Sequence, residues 1–165
     1  MENRLYQFTP SDAAALTGVS TVQQRDWRRH GYMPTPTAGW SRHEVEDLCR
    51  LLLLRLYAQH GIPPGTSLTS VIQLAPTAAA ISRSIIAGTD RPMKGAARFG
   101  FVWANGNLSV ADDLQSALDA ASVDQKAGPV TIVDLRVVAV PFGIKIRKWL
   151  DDELGENHEF GEQVD

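Results

Sequence analysis

The residues best suited to chemistry lie in one short run. Arg25-Asp26-Trp27-Arg28-Arg29-His30 places three guanidinium groups in a single helical stretch, directly after Thr21, Gln23 and Gln24. A guanidinium pairs with phosphate oxygens or bonds guanine in two places, and a glutamine amide does the same to adenine. The chemistry implied is recognition of a duplex rather than the making or breaking of bonds. Thr21, Gln23, Gln24, Arg25 and Arg28 are expected on the exposed face, with Arg29 beside them. Val22 reads as a core residue, and Trp27 suits either packing or a phosphate contact. His30, His43, His60 and His158 lack ligand spacing, so no metal site and no cofactor are expected. The single cysteine, Cys49, falls on an apolar helix face and reads as an inert core residue. No nucleophile elbow, phosphate loop or paired metal motif appears, so an enzyme is not expected.

A run of start and stop signals positions these side chains. Thr9-Pro10-Ser11-Asp12 supplies a capping hydroxyl, a proline suited to the first helical position and an acid in the first turn. The helix it opens stops at Gly18. Ser20-Thr21-Val22-Gln23 has the capping-box arrangement and opens a second helix to about His30, which Gly31 ends. Two short helices joined by Thr17-Gly18-Val19-Ser20 have the geometry of a helix-turn-helix, with Thr21 to His30 as reading helix. Met33 to Trp40, with two prolines and a glycine, reads as an extended wing. Ser41-Arg42-His43-Glu44 reads as a third capping box, opening an apolar helix to about His60 before Gly61, Pro63 and Pro64. The apolar surface of that helix is wider than two small helices can cover.

Ala15-Leu16-Thr17-Gly18-Val19-Ser20, then Arg25 to Pro34, then Gly39-Trp40-Ser41-Arg42 resemble the N-terminal domain of MerR-type regulators. The resemblance covers residue 7 to about residue 60. It implies a winged helix-turn-helix with its second helix in the major groove and its wing on the flanking backbone. By that resemblance Arg25 and Trp27 contact the backbone, and Trp40 with Arg42 forms the wing contact. Asp26 stands where the family has an aromatic residue, and Ser41 where it has the wing arginine. The family's metal-sensing cysteines and long dimer helix have no counterpart. A divergent repressor or mobile-element regulator therefore fits better than a metal-responsive activator.

Beyond Pro64, a helix through Ala75 is expected to break or restart at Pro76 and continue to Ala87. Residues 88–100 read as a loop, in which Lys94 and Arg98 could reach a DNA backbone. Phe101 to Ala104 and Leu108 to Val110 flank Asn105-Gly106, a strong hairpin signal. A helix follows over Asp112 to Ala121, then a β-branched strand over Val130 to Val140, then a last helix with Ile146, Trp149, Leu150 and Leu154 at helical spacing. The fold class expected is mainly α with a small sheet (α+β). The units expected are a winged helix-turn-helix over 1–62, a helical connector and loop over 63–98, an α+β oligomerisation domain over 99–154 and a disordered acidic tail over 155–165. A sheet of about three strands needs a covering surface. Leu51, Leu54, Phe101, Trp103, Ile146, Trp149 and Leu150 are accordingly expected to join copies into a homodimer or higher oligomer.

A net charge of -3 is unusual for a nucleic-acid binder until it is divided by region. Residues 1–75 carry seven Arg against six acidic residues, whereas residues 76–165 carry nine basic against thirteen acidic ones. Counterion release depends on local positive charge, so the arginine run counts for more than the total. No apolar run is long enough to span a bilayer and no signal peptide is evident, so a cytoplasmic protein is expected. The function expected is sequence-specific binding of double-stranded DNA in transcription regulation. The rivals are an excisionase-like architectural role, a ligand sensor with Phe101, Trp103 and Trp149 around a small molecule, and a protein-interaction module.

Overall fold

A computed structural model describes residues 6–35, 42–89, 98–103, 108–123 and 130–159. Within them the chain is mainly helical, with one small three-stranded antiparallel sheet. Helix α1 (Pro10–Thr17) starts as its sequence dictates. The Thr9 hydroxyl accepts from the Asp12 amide at 3.2 Å, and the Asp12 carboxylate accepts from the Thr9 amide at 2.7 Å. Gly18 closes the helix at φ +71°, a left-handed conformation that favours glycine. Helix α2 (Thr21–Arg29) is capped by Ser20, whose hydroxyl accepts from the Gln23 amide.

Helix α3 (Val45–Gln59) starts one turn later than the Ser41 motif suggests. Its cap is Glu44, whose amide donates to the Asp47 carboxylate at 3.1 Å. Arg42 and His43 are thus outside the helix, and His43 pairs with Phe8 in a short antiparallel bridge. Most of the expected wing, including Trp40, lies outside the described residues, as does Ser41 of the expected capping box.

Helix α4 (Pro64–Ile86) runs unbroken through Pro76, contrary to the expected break. A proline removes the hydrogen bond to the carbonyl four residues earlier. Pro76 is exposed, and so is Ile72, so the freed carbonyl stands on the solvent side. Strands β1 (Phe99–Trp103), β2 (Leu108–Ala111) and β3 (Val130–Asp134) form the sheet in the order β2-β1-β3. Helix α5 (Leu114–Val123) lies between β2 and β3 in the chain.

The expected strand over Val130 to Val140 is corrected at Asp134. Helix α6 (Leu135–Glu159) starts there, passes through Pro141 and extends well into the acidic tail. The Asp134 carboxylate accepts from the Arg136 and Val137 amides at 2.9 and 3.4 Å, and this cap turns the chain from strand to helix. Pro141 repeats the arrangement of Pro76, since both it and Val137, four residues earlier, are exposed.

One continuous apolar cluster joins Phe8, Leu16, Val19 and Trp27 to α3, α4, Val102, Val133 and Ile146, crossing the expected boundary at residue 62. The stretch expected as a connector is therefore a central helix of the core. Leu74 lies against Gly100 so closely that a Cβ there would sit 2.8 Å from it, which holds one sheet face on α4. The other face carries Phe99, Phe101 and Trp103 in a smaller cluster with Ala111, Val130 and Ile132. The central strand β1 is thus buried along its whole length within its own chain, while Ser109 and Val110 of β2 stay exposed.

This packing revises the side chains expected to join copies. Leu51, Leu54, Phe101, Trp103 and Ile146 are buried within the same chain, so these five side chains are not exposed to a second subunit. Trp149 and Leu150 are half-buried against the main cluster, with the Trp149 ring 5.5 Å from that of Phe8. Phe101 and Trp103 belong to the other cluster, so the three aromatics proposed to enclose a ligand do not meet. Arg98 is likewise engaged, donating to the Asp134 carboxylate from Nε and Nη2 at 3.1 and 2.7 Å. Among the described residues no helix is long and apolar enough to cross a membrane.

Candidate nucleic-acid interface

Helix α2 has two faces that differ in every respect. The inner face holds Gln24 and Trp27, both buried. Gln24 was expected to be exposed, but its amide Nε2 donates to the carbonyls of Pro10 and Val19 at 2.9 and 2.8 Å. Those two carbonyls orient the amide and aim Oε1 at His43 Nε2, 3.2 Å away. Gln24 therefore locks α2 to α1 and to the segment before α3, and it has no group left for a base. Trp27 resolves as a packing residue.

Arg28 lies half-buried between the faces, with Nη2 3.2 Å from the same His43 nitrogen. His43 Nε2 serves one neighbour at a time: as N–H it donates to Gln24, and as a bare nitrogen it accepts from Arg28. Burial, then the Arg28 guanidinium, push the His43 pKa below its ordinary value, and Asp47 only partly opposes them. A neutral imidazole is thus wedged against a permanent cation. Among the described residues, Arg28 Nε is buried without a hydrogen-bond partner.

The outer face presents Thr21, Val22, Gln23, Arg25 and Arg29 to solvent. Arg29 donates to Asp26 at 2.7 Å, and His30 sits 3.6 Å from the same carboxylate. Arg25 makes no hydrogen bond or ion pair among the described residues. Two shallow depressions flank the face. One, of about 620 Å³, is lined by Ser20, Val22, Gln23, Arg25, Asp26 and Arg29. The other, of about 290 Å³, is lined by Pro10, Thr21, Val22, Gln24, Arg25 and Arg28. Val22 and Arg25 border both, so they form a ridge with an arginine-lined hollow on each side. Arg42 is exposed next to His43, close in sequence to the bridge that ties this segment to Phe8.

The C-terminal end of α1 is fixed by cations from distant elements. Arg55 of α3 donates to the Thr17 carbonyl at 2.6 Å, and a Cβ at Gly18 would lie 2.0 Å from its Nη1. Lys145 of α6 donates to the carbonyls of Ala15 and Leu16 at 2.8 and 2.7 Å. Helix α1 has no basic residue in its own last turn, so these two groups satisfy carbonyls and the negative end of its dipole. They hold α1, and through Gln24 also α2, against the rest of the molecule.

Cys49 is buried with its sulfur 3.9 Å from the Ser82 hydroxyl, and burial pushes its pKa up to about 12. It has no thiolate character at neutral pH. Among the described residues no three of His, Cys, Asp and Glu gather as a metal site. Of the nine side chains expected at the interface, the structure brings Thr21, Gln23, Arg25 and Arg29 together on one exposed face with Arg28 at its edge. It turns Gln24 and Trp27 inward, leaves Arg42 exposed beside His43 and does not describe Trp40. Sequence reasoning missed His43 as the hub of the inner face, and it placed Val22 on the wrong side. No protein-family model matches the chain, and a search of curated proteins finds no similar sequence.

Proposed function

We propose that this chain is a sequence-specific DNA-binding regulator whose helix-turn-helix, α1 and α2, lays the outer face of α2 in the major groove. The observation that carries the reading is the ridge of Val22 and Arg25 with a hollow lined by arginine on either side. A helix fits the major groove of B-form DNA, and its first turns meet the base edges. On this reading Gln23 and Arg25 face bases, while Arg28 and Arg29 in the flanking hollows face the phosphates that wall the groove. Arg42 and Trp40 extend the contact along the backbone, as the resemblance to MerR-type regulators implies. The buried Gln24–His43 bond supports the reading because it sets the angle of α2 without using any outward group.

One short helix reads only a few base pairs, so the reading carries two or more copies of the chain on repeated half-sites. The test is selection of the full chain against a random duplex library. The expected result is an enriched motif of two related half-sites. A library that emerges with no enriched sequence would overturn the proposal.

A further inference from the structure

The outer face of α2 is polar except at one position. Val22, the second residue of the helix, is 64% exposed and packs on neither apolar cluster. Single exposed apolar residues are ordinary on protein surfaces, so exposure alone assigns nothing. Two further facts bear on it. Val22 lies on the crest that borders both hollows, between Thr21 and Gln23 and one turn before Arg25. It also lies in the first turn, the part of a reading helix that reaches base edges. A β-branched side chain has few χ1 rotamers, so its two methyl groups stand close to the helix backbone with little freedom to lose on contact. They carry no donor or acceptor, and the apolar feature of the major-groove floor in unmodified DNA is the 5-methyl group of thymine.

From this geometry we infer that Val22 reads the 5-methyl of a thymine and so fixes one base pair of each half-site. The inference rests on the DNA-binding reading above and adds the identity of the base. Arg25, three residues along the same ridge, then lies over the neighbouring bases, and Gln23 points to one side. Thr21 carries the other methyl group on this turn and is the alternative reader.

The test uses the full chain and a duplex enriched by selection. Each thymine of the half-site is replaced in turn by deoxyuridine, which keeps every hydrogen-bonding group and removes one methyl. Wild-type protein is expected to lose about fourfold in affinity at one position, the effect of one buried methyl group. Val22→Ala should bind the thymine duplex about fourfold more weakly and show no further loss with deoxyuridine there. Thr21→Ser should keep the wild-type sensitivity. Sensitivity that persists in Val22→Ala, or vanishes in Thr21→Ser, or is found at no thymine, overturns the assignment of Val22 while leaving duplex binding intact. Failure to enrich any duplex strikes the underlying reading instead.

Discussion

The C-terminal end of α1 and the outer face of α2 are separated by a three-residue turn, and both are served by cations. At the end of α1, Arg55 and Lys145 come from α3 and α6, and each donates to main-chain carbonyls at 2.6 to 2.8 Å. On α2, Arg25 and Arg29 point to solvent, Arg25 with no partner among the described residues and Arg29 with only an exposed ion pair to Asp26. The first set completes the fold and the second is left over by it. A cation with carbonyl partners stabilises its own structure, whereas an outward cation with no partner, or with only an exposed ion pair, gains most from a ligand of opposite charge. The allocation of the arginines distinguishes the two regions more clearly than their number does.

The largest effect should come from removing the outward set. Arg25→Ala combined with Arg29→Ala is expected to weaken binding to a selected duplex by about 2–4 kcal/mol. The melting temperature should stay within a degree or so, as expected for exposed side chains. Titration by fluorescence anisotropy alongside a thermal melt measures both. A second variant sharpens the inner face. Gln24→Leu leaves the Pro10 and Val19 carbonyls without their donor, and should cost about 1–3 kcal/mol of unfolding free energy in a urea titration. Lys145→Ala should cost about 1 kcal/mol by the same measurement, through loss of the cation at the end of α1. Correcting for the unfolded fraction should restore wild-type DNA affinity to Lys145→Ala and not to the double arginine variant.

The smallest effects are pH-dependent. His43 has a folded-state pKa below its ordinary 6.5, from burial and Arg28. The unfolded chain then binds a proton that the folded chain refuses, so stability should fall as pH drops from about 6.5 toward the folded value. His43→Asn should flatten that part of the curve. Asp134 behaves as a depressed acid. Burial opposes its charge, but hydrogen bonds from Arg98 and the amides of Arg136 and Val137 outweigh it and hold its pKa below 3.8. Its contribution is present above pH 3.8 and lost as pH falls through the lower folded value. The difference in melting temperature between wild type and Asp134→Ala should therefore narrow in strong acid.

The sequence made the local signals legible and hid those that depend on which side of a helix faces inward. Thr9, Asp12, Ser20 and Gly18 mark the ends of α1 and α2 because caps act within a few residues. The Asn105-Gly106 signal likewise announced the antiparallel pairing of β1 with β2. Val130 to Val140 misled because β-branched residues favour strands, while the cap at Asp134 is a single residue inside the run. Pro76 misled because whether a lost hydrogen bond matters depends on whether water can replace it. At the site, Arg25 and Arg29 were legible as exposed charge. Gln24 and Val22 were exchanged because polarity alone does not reveal that the Pro10 and Val19 carbonyls need a donor. His43 was invisible as a partner, as it lies 19 residues from Gln24 in the chain.

The most direct measurement is an amide NMR map of the full chain as a selected duplex is added. The account predicts the largest shifts at Thr21, Val22, Gln23, Arg25 and Arg29, with Arg42 following, and small changes across β1, β2 and α5. Shifts concentrated on the sheet or on α4 and α6, with the α2 amides unmoved, would contradict it.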